Sequence, residues 1–115
     1  VSPTGQPIVA DGSGQTIAIV DAYDDPNVIA DTDVFDQAYS VNGGSQTLYQ
    51  QYGAASTFLT VHKMSASIQA SASWSGEIAL DVEWAHAIAP GARILLVEAT
   101  SSSTTATLYK ACSLS

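Results

Sequence analysis

An α/β fold built on a parallel sheet is predicted by three observations. Thr16–Asp21 (TIAIVD) and Arg93–Glu98 (RILLVE) are short apolar runs without polar alternation, as in strands covered on both faces. About Ser75–Ala89 carries the clearest helical pattern and stops at Pro90-Gly91. Strand-like and helix-like segments also alternate along the chain, which is the order that parallel sheets with crossover helices require.

The elements follow in order. Residues 1–15 are rich in Gly, Pro and Ser and read as a leading arm and turn, so the core is expected over 16–115 as a βαβαβα unit. After the first strand, Asp24-Asp25-Pro26 is a helix-start signal, with Pro suited to the first turn. Val28, Ile29, Val34, Phe35 and Ala38 then give a loose apolar stripe. Residues 40–57 read as loop, broken most clearly at Asn42-Gly43-Gly44. Phe58–Met64 alternates as a strand, and the Ser/Ala stretch 65–73 leads to the main helix. Arg93–Glu98 is the third strand, and a further helix is predicted from about Thr105. Two or three strands leave open edges and an uncovered face. The chain is therefore expected to be the opening part of a larger domain, and to associate with itself or with a missing C-terminal segment.

Composition narrows the function. Of 115 residues, 46% are hydrophobic and only 12% charged, against roughly a quarter charged in an average soluble protein. Eleven acidic residues oppose three basic ones, and no Lys or Arg precedes Lys63. Phosphate backbones and anionic membranes are bound through clustered Lys and Arg, so neither nucleic acid nor a membrane is an expected partner. No apolar run approaches the ~18–20 residues of a membrane span. The one cysteine, Cys112, excludes an internal disulfide and any Cys-based metal cluster.

The main helix holds the chemistry. Wound at 3.6 residues per turn, it puts Glu77 and Asp81 on one stripe with Trp74, Trp84 and Ile88, while Ala79, Glu83 and His86 fall opposite. Like charges four residues apart repel, and partial burial beside tryptophan is expected to increase the repulsion. Sharing one proton relieves it, and a pair that shares a proton can accept and return another, as general acid–base catalysis needs. The plainer reading of the same residues is a first-turn Glu favoured by the helix dipole and a surface Asp.

Gly76–Ala99 (GEIALDVEWAHAIAPGARILLVEA), with Gly12–Asn27 (GSGQTIAIVDAYDDPN) ahead of it, resembles the sedolisin family of serine-carboxyl peptidases. The Glu-x-x-x-Asp pattern with its small-apolar-Leu approach matches Glu77-Ile78-Ala79-Leu80-Asp81, and the continuation Ala-x-Ile-Ala-Pro-Gly-Ala into an apolar strand matches as well. The resemblance implies a secreted, acid-active endopeptidase on a subtilisin-like fold, a parallel sheet with helices on both faces. It implies Glu77 as the base that takes a serine's proton and Asp81 as its orienting partner. It implies for Asp21, at the end of the first strand, an extension of the carboxylate network behind Asp81; a strand-end turn cap is the rival role.

The resemblance covers half a site. No Ser-Gly-Thr-Ser segment is present, and neither Ser65–Ser75 nor Ser101–Ser103 has the Gly-flanked turn that exposes a nucleophile. No cofactor is expected in this segment, although the resemblance implies calcium in the complete enzyme. A peptide or protein is the implied substrate there, and the chain alone is expected to be inactive. A non-catalytic secreted α/β binding module, or a truncated gene product of the same fold, is the alternative. Asp24, Asp25, Asp31, Asp33 and Asp36 lack the Gly and Glu of a calcium loop and read as exposed helix-start charges. His62 and His86 read as exposed or half-buried histidines, not a zinc pair.

Overall fold

The computed structural model describes residues 10–103, with Gly5, Lys110 and Ser113 besides. The helix expected from Thr105 and most of the leading arm lie outside them. Three parallel strands, β1 (Thr16–Ala22), β2 (Leu59–Lys63) and β3 (Arg93–Ala99), form a sheet in the order β1-β3-β2. Between them lie α1 (Val28–Ala38), α2 (Leu48–Tyr52) and α3 (Ala72–Ile88), with short 3-10 turns at Val41–Gly43 and Ala55–Thr57. The chain is thus an α/β protein.

Local chemistry accounts for the helix boundaries. Helix α3 starts three residues earlier than its apolar pattern suggests, because the Ser71 hydroxyl accepts from the Trp74 N–H and caps it. Helix α2 falls within the stretch read as loop. Its Thr47–Gln50 pair forms a capping box: the Gln50 N–H donates to the Thr47 hydroxyl at 3.1 Å, and the Thr47 N–H donates to the Gln50 side chain at 2.9 Å. Five residues are too few to show a period, so only the Thr-x-x-Gln spacing marks this helix in the sequence.

The register aligns Ile19, Leu96 and Val61 on one rung and Asp21, Glu98 and Lys63 on the next-but-one, so all six point to the same face. On that face Val28 of α1, Ile78 and Val82 of α3, and Leu59, Ile94 and Leu96 of the sheet form the main core. Val97 and Ala99 head a smaller cluster on the reverse face, with Val20, Met64 and Leu95.

Helices on both faces were expected; among the described residues, α1 and α3 share one. The crossover from β1 passes β3 to reach β2, and the next returns from β2 to β3. Two crossovers that run in opposite directions and leave their helices on one face must have opposite hands. One of them therefore departs from the right-handed rule that nearly all such connections obey. The further helix predicted from about Thr105 lies outside the described residues, so what the structure gives is a parallel sheet with helices.

The wheel grouped the α3 residues correctly but misjudged which side the protein buries. Ile78, Val82 and His86 are the buried face. Leu80, Trp84 and Ile88 are 49%, 62% and 73% exposed, so Trp84 does not enclose the carboxylates.

Core and surface should separate cleanly on mutation. Ile78→Ala or Leu96→Ala is expected to destabilise by about 2–5 kcal/mol in urea unfolding, while Trp84→Ala should stay within about 0.5 kcal/mol of the parent.

Candidate active site

Open parallel sheets present functional groups at the carboxyl ends of their strands. Asp21 is the penultimate residue of β1, and its side chain lies under α3, 5% exposed. One turn of α3 separates Glu77 from Asp81, and Asp81 stands within hydrogen-bonding reach of both Glu77 and Asp21. All three residues singled out from the sequence therefore meet in one row, with Asp81 in the middle.

A row of carboxyls has no donor unless it holds protons. Buried Asp21 Oδ2 receives no hydrogen bond from the protein. Burial, then the hydrogen bond to Asp81, then the charges of Asp81, Glu77 and Glu98 push the Asp21 carboxyl up to about 7. Glu77 is held above its ordinary value by its hydrogen bond to Asp81 and by that residue's charge, more than by burial. A proton on Asp21 can thus donate to Asp81. The desolvation expected from tryptophan comes from the sheet instead, and it falls on Asp21.

The row opens into a cleft of about 410 Å³ lined by Asp21, Ser73, Trp74 and Glu77. Tyr23 leaves β1 with a φ of 66°, a conformation unfavourable for a bulky residue, and its ring lies 6.5 Å from that of Trp74. Ser73 is the serine that lines the cleft, but its hydroxyl pairs with Ser71 Oγ at 3.3 Å and with neither carboxylate.

A second acidic group lies beside the first, and the sequence reading missed it. Glu98 is fully buried next to Asp21 on the same rung, and its Oε2 accepts from the Asp25 N–H at 2.8 Å. Burial pushes its carboxyl up to about 7 against that N–H; neighbouring Asp24 raises it further, by charge and by hydrogen bond, and Lys63 opposes. Lys63 Nζ is 3.2 Å from Asp24 Oδ1. The signal was available: Glu98 ends an apolar strand just as Asp21 does.

Two other expectations are corrected. Asp25 and Asp36 are 3% and 0% exposed, not solvated helix-start charges. His86 is fully buried, its Nε2 2.8 Å from Asp36 Oδ2 and its ring stacked on Phe58 at 4.1 Å. The pair ties α3 to α1, and Asp36 sits eight residues into its helix, where a solvated face had been assumed.

Among the described residues, no three His, Cys, Asp or Glu side chains form a group that could hold a metal ion. Comparison with protein-family models, curated proteins and solved structures finds no match for this chain.

The raised acids fix a pH dependence. The folded-state value of Asp21 exceeds the ~3.9 of an unfolded Asp, so its contribution to stability is complete below about pH 4 and is lost as the pH rises through about 7. Asp21→Asn, which keeps an N–H donor for Asp81, should flatten the fall between those limits in thermal unfolding. A fall as steep as the parent's would show that Asp21 is not the group responsible. Separately, His86→Ala leaves Asp36 buried without its partner and should destabilise by about 3–5 kcal/mol in urea.

Proposed function

We propose that this chain is the N-terminal part of the catalytic domain of a secreted, acid-active serine-carboxyl endopeptidase of the sedolisin type, with a subtilisin-like fold. The observation that carries the reading is the meeting of Glu77, Asp81 and Asp21 in one row of carboxyls at the mouth of a cleft. Surface carboxylates have no reason to converge in this way, because each would be more stable in water apart from the others.

In this reading Glu77 is the base. A serine supplied from outside the described residues attacks the peptide carbonyl while its proton passes to Glu77. Collapse of the tetrahedral intermediate breaks the C–N bond, and Glu77 returns the proton to the leaving amine. Water then attacks the acyl-enzyme, again giving its proton to Glu77, and the serine leaves with that proton restored. Asp81 orients Glu77, the part an Asp plays toward His in a Ser-His-Asp triad. Asp21 donates its proton to Asp81 and so holds the middle member in place. Acidic conditions suit this arrangement, since they keep the proton on Asp21 while a carboxylate base can still cycle.

The exposed stripe Leu80–Trp84–Ile88 favours the second reading, a non-catalytic secreted module whose helix face binds another protein.

A graft separates the two. The 115-residue chain alone should hydrolyse no protein substrate between pH 3 and 7, because acyl transfer needs a nucleophile and an oxyanion donor besides the base. Residues 12–100 substituted into a sedolisin peptidase should preserve cleavage with an acidic optimum. Glu77→Ala in that graft should reduce kcat by roughly 10⁴–10⁶-fold. A folded graft without activity would overturn the catalytic reading in favour of the binding module.

A further inference from the structure

Neither the proposed mechanism nor the sequence motifs use Glu98, yet it is the most fully buried carboxylate near the site. It lies directly beside Asp21 across one β1–β3 rung, and Lys63 completes that rung on β2. Adjacent strands lie about 4.7–4.9 Å apart, so Asp21 and Glu98, in register and both buried, are direct neighbours. Its Oε1 is buried with no donor from the protein, as is Asp21 Oδ2.

The charged groups around Glu98 come from every element packed there. Asp21 faces it from β1, Asp24 and Asp25 from the turn after β1, and Lys63 from β2. On α3, Asp81 lies beyond Asp21, while Glu83 lies toward Asp25, Asp31 and Asp36. One cation therefore serves this group of acids, and it is engaged by Asp24.

We propose that Glu98 is a positioning residue that acts through Asp21: its charge, governed by Asp24 and Lys63, keeps the Asp21 proton in place as the donor to Asp81. Asp21 then stands between Asp81 on one side and Glu98 on the other, and Glu98 has Asp24 and Lys63 on its far side. At acidic pH both Asp21 and Glu98 hold protons. As the pH rises, loss of the proton from either one strengthens the hold of the other on its own. The Asp21–Asp81 donor bond therefore persists to higher pH than Asp21 would sustain alone. Burial raises both acids to the same region near 7, which is the condition for two interacting sites to titrate as a pair.

The significance for catalysis rests on the peptidase reading, but the coupling itself does not. A structural role for Glu98 would be to accept the Asp25 N–H, and glutamine retains that acceptor. The experiment is a carbon-detected NMR titration of the side-chain carboxyls in the 115-residue chain from pH 3 to 9. In Glu98→Gln the Asp21 midpoint should move down. In Asp21→Asn the Glu98 midpoint should move down by an equal amount, as reciprocity of a coupling free energy demands. If Glu98→Gln does not fold, the Asp21→Asn titration decides alone. An Asp21 midpoint unmoved in folded Glu98→Gln, or a Glu98 midpoint unmoved in Asp21→Asn, overturns the proposal. An inactive graft with both midpoints displaced would overturn the peptidase reading and leave this one standing.

Discussion

Helix α3 is held over the sheet by a buried face three residues wide, and the rest of the structure depends on where that face lands. Ile78 and Val82 enter the apolar core, and one turn further on His86 meets Asp36 of α1. These contacts fix the rotation of the helix as well as its position. A different rotation would carry Asp81 away from Asp21 and put Trp84 into the core. The same contacts draw α3 to the face that α1 occupies, at the expense of the usual crossover hand.

The composition explains why the acids meet through protons and not through ion pairs. Eleven carboxylates and three basic side chains cannot be matched one to one. Arg93 begins β3, at the opposite end of the strand from Glu98, and Lys63 is engaged by Asp24. Asp21 and Glu98 are nonetheless buried at the end of the sheet where the functional groups of such folds gather. Without cations at hand, the low-energy state of each buried acid is the neutral one. A stability that falls as the pH rises through about 7 thus follows from burial and charge balance.

Carboxyls of one chemical type sit here in different environments. Glu77 is open to the cleft, whereas Asp21 and Glu98 are buried and their carboxyls are raised chiefly by desolvation. Environment separates their roles where side-chain chemistry does not. Tyr23 supports the same geometry from the chain's side: its left-handed backbone turns the strand end sharply, so that Asp24 and Asp25 fold back toward Glu98.

The sequence by itself determined the strands, the main helix and the i, i+4 placement of Glu77 and Asp81, because these depend on local period and spacing. Asp21 was legible for the same reason, as a charge closing an apolar run. What tertiary structure alone decided is which side of α3 is buried, since a helix with apolar residues on several faces has no preferred rotation until a partner is present. It decided also that His86 and Asp36, fifty residues apart, are enclosed together, and that Glu98 stands beside Asp21. Strand order and register bring that last pair together, and neither is written in any local pattern of residues.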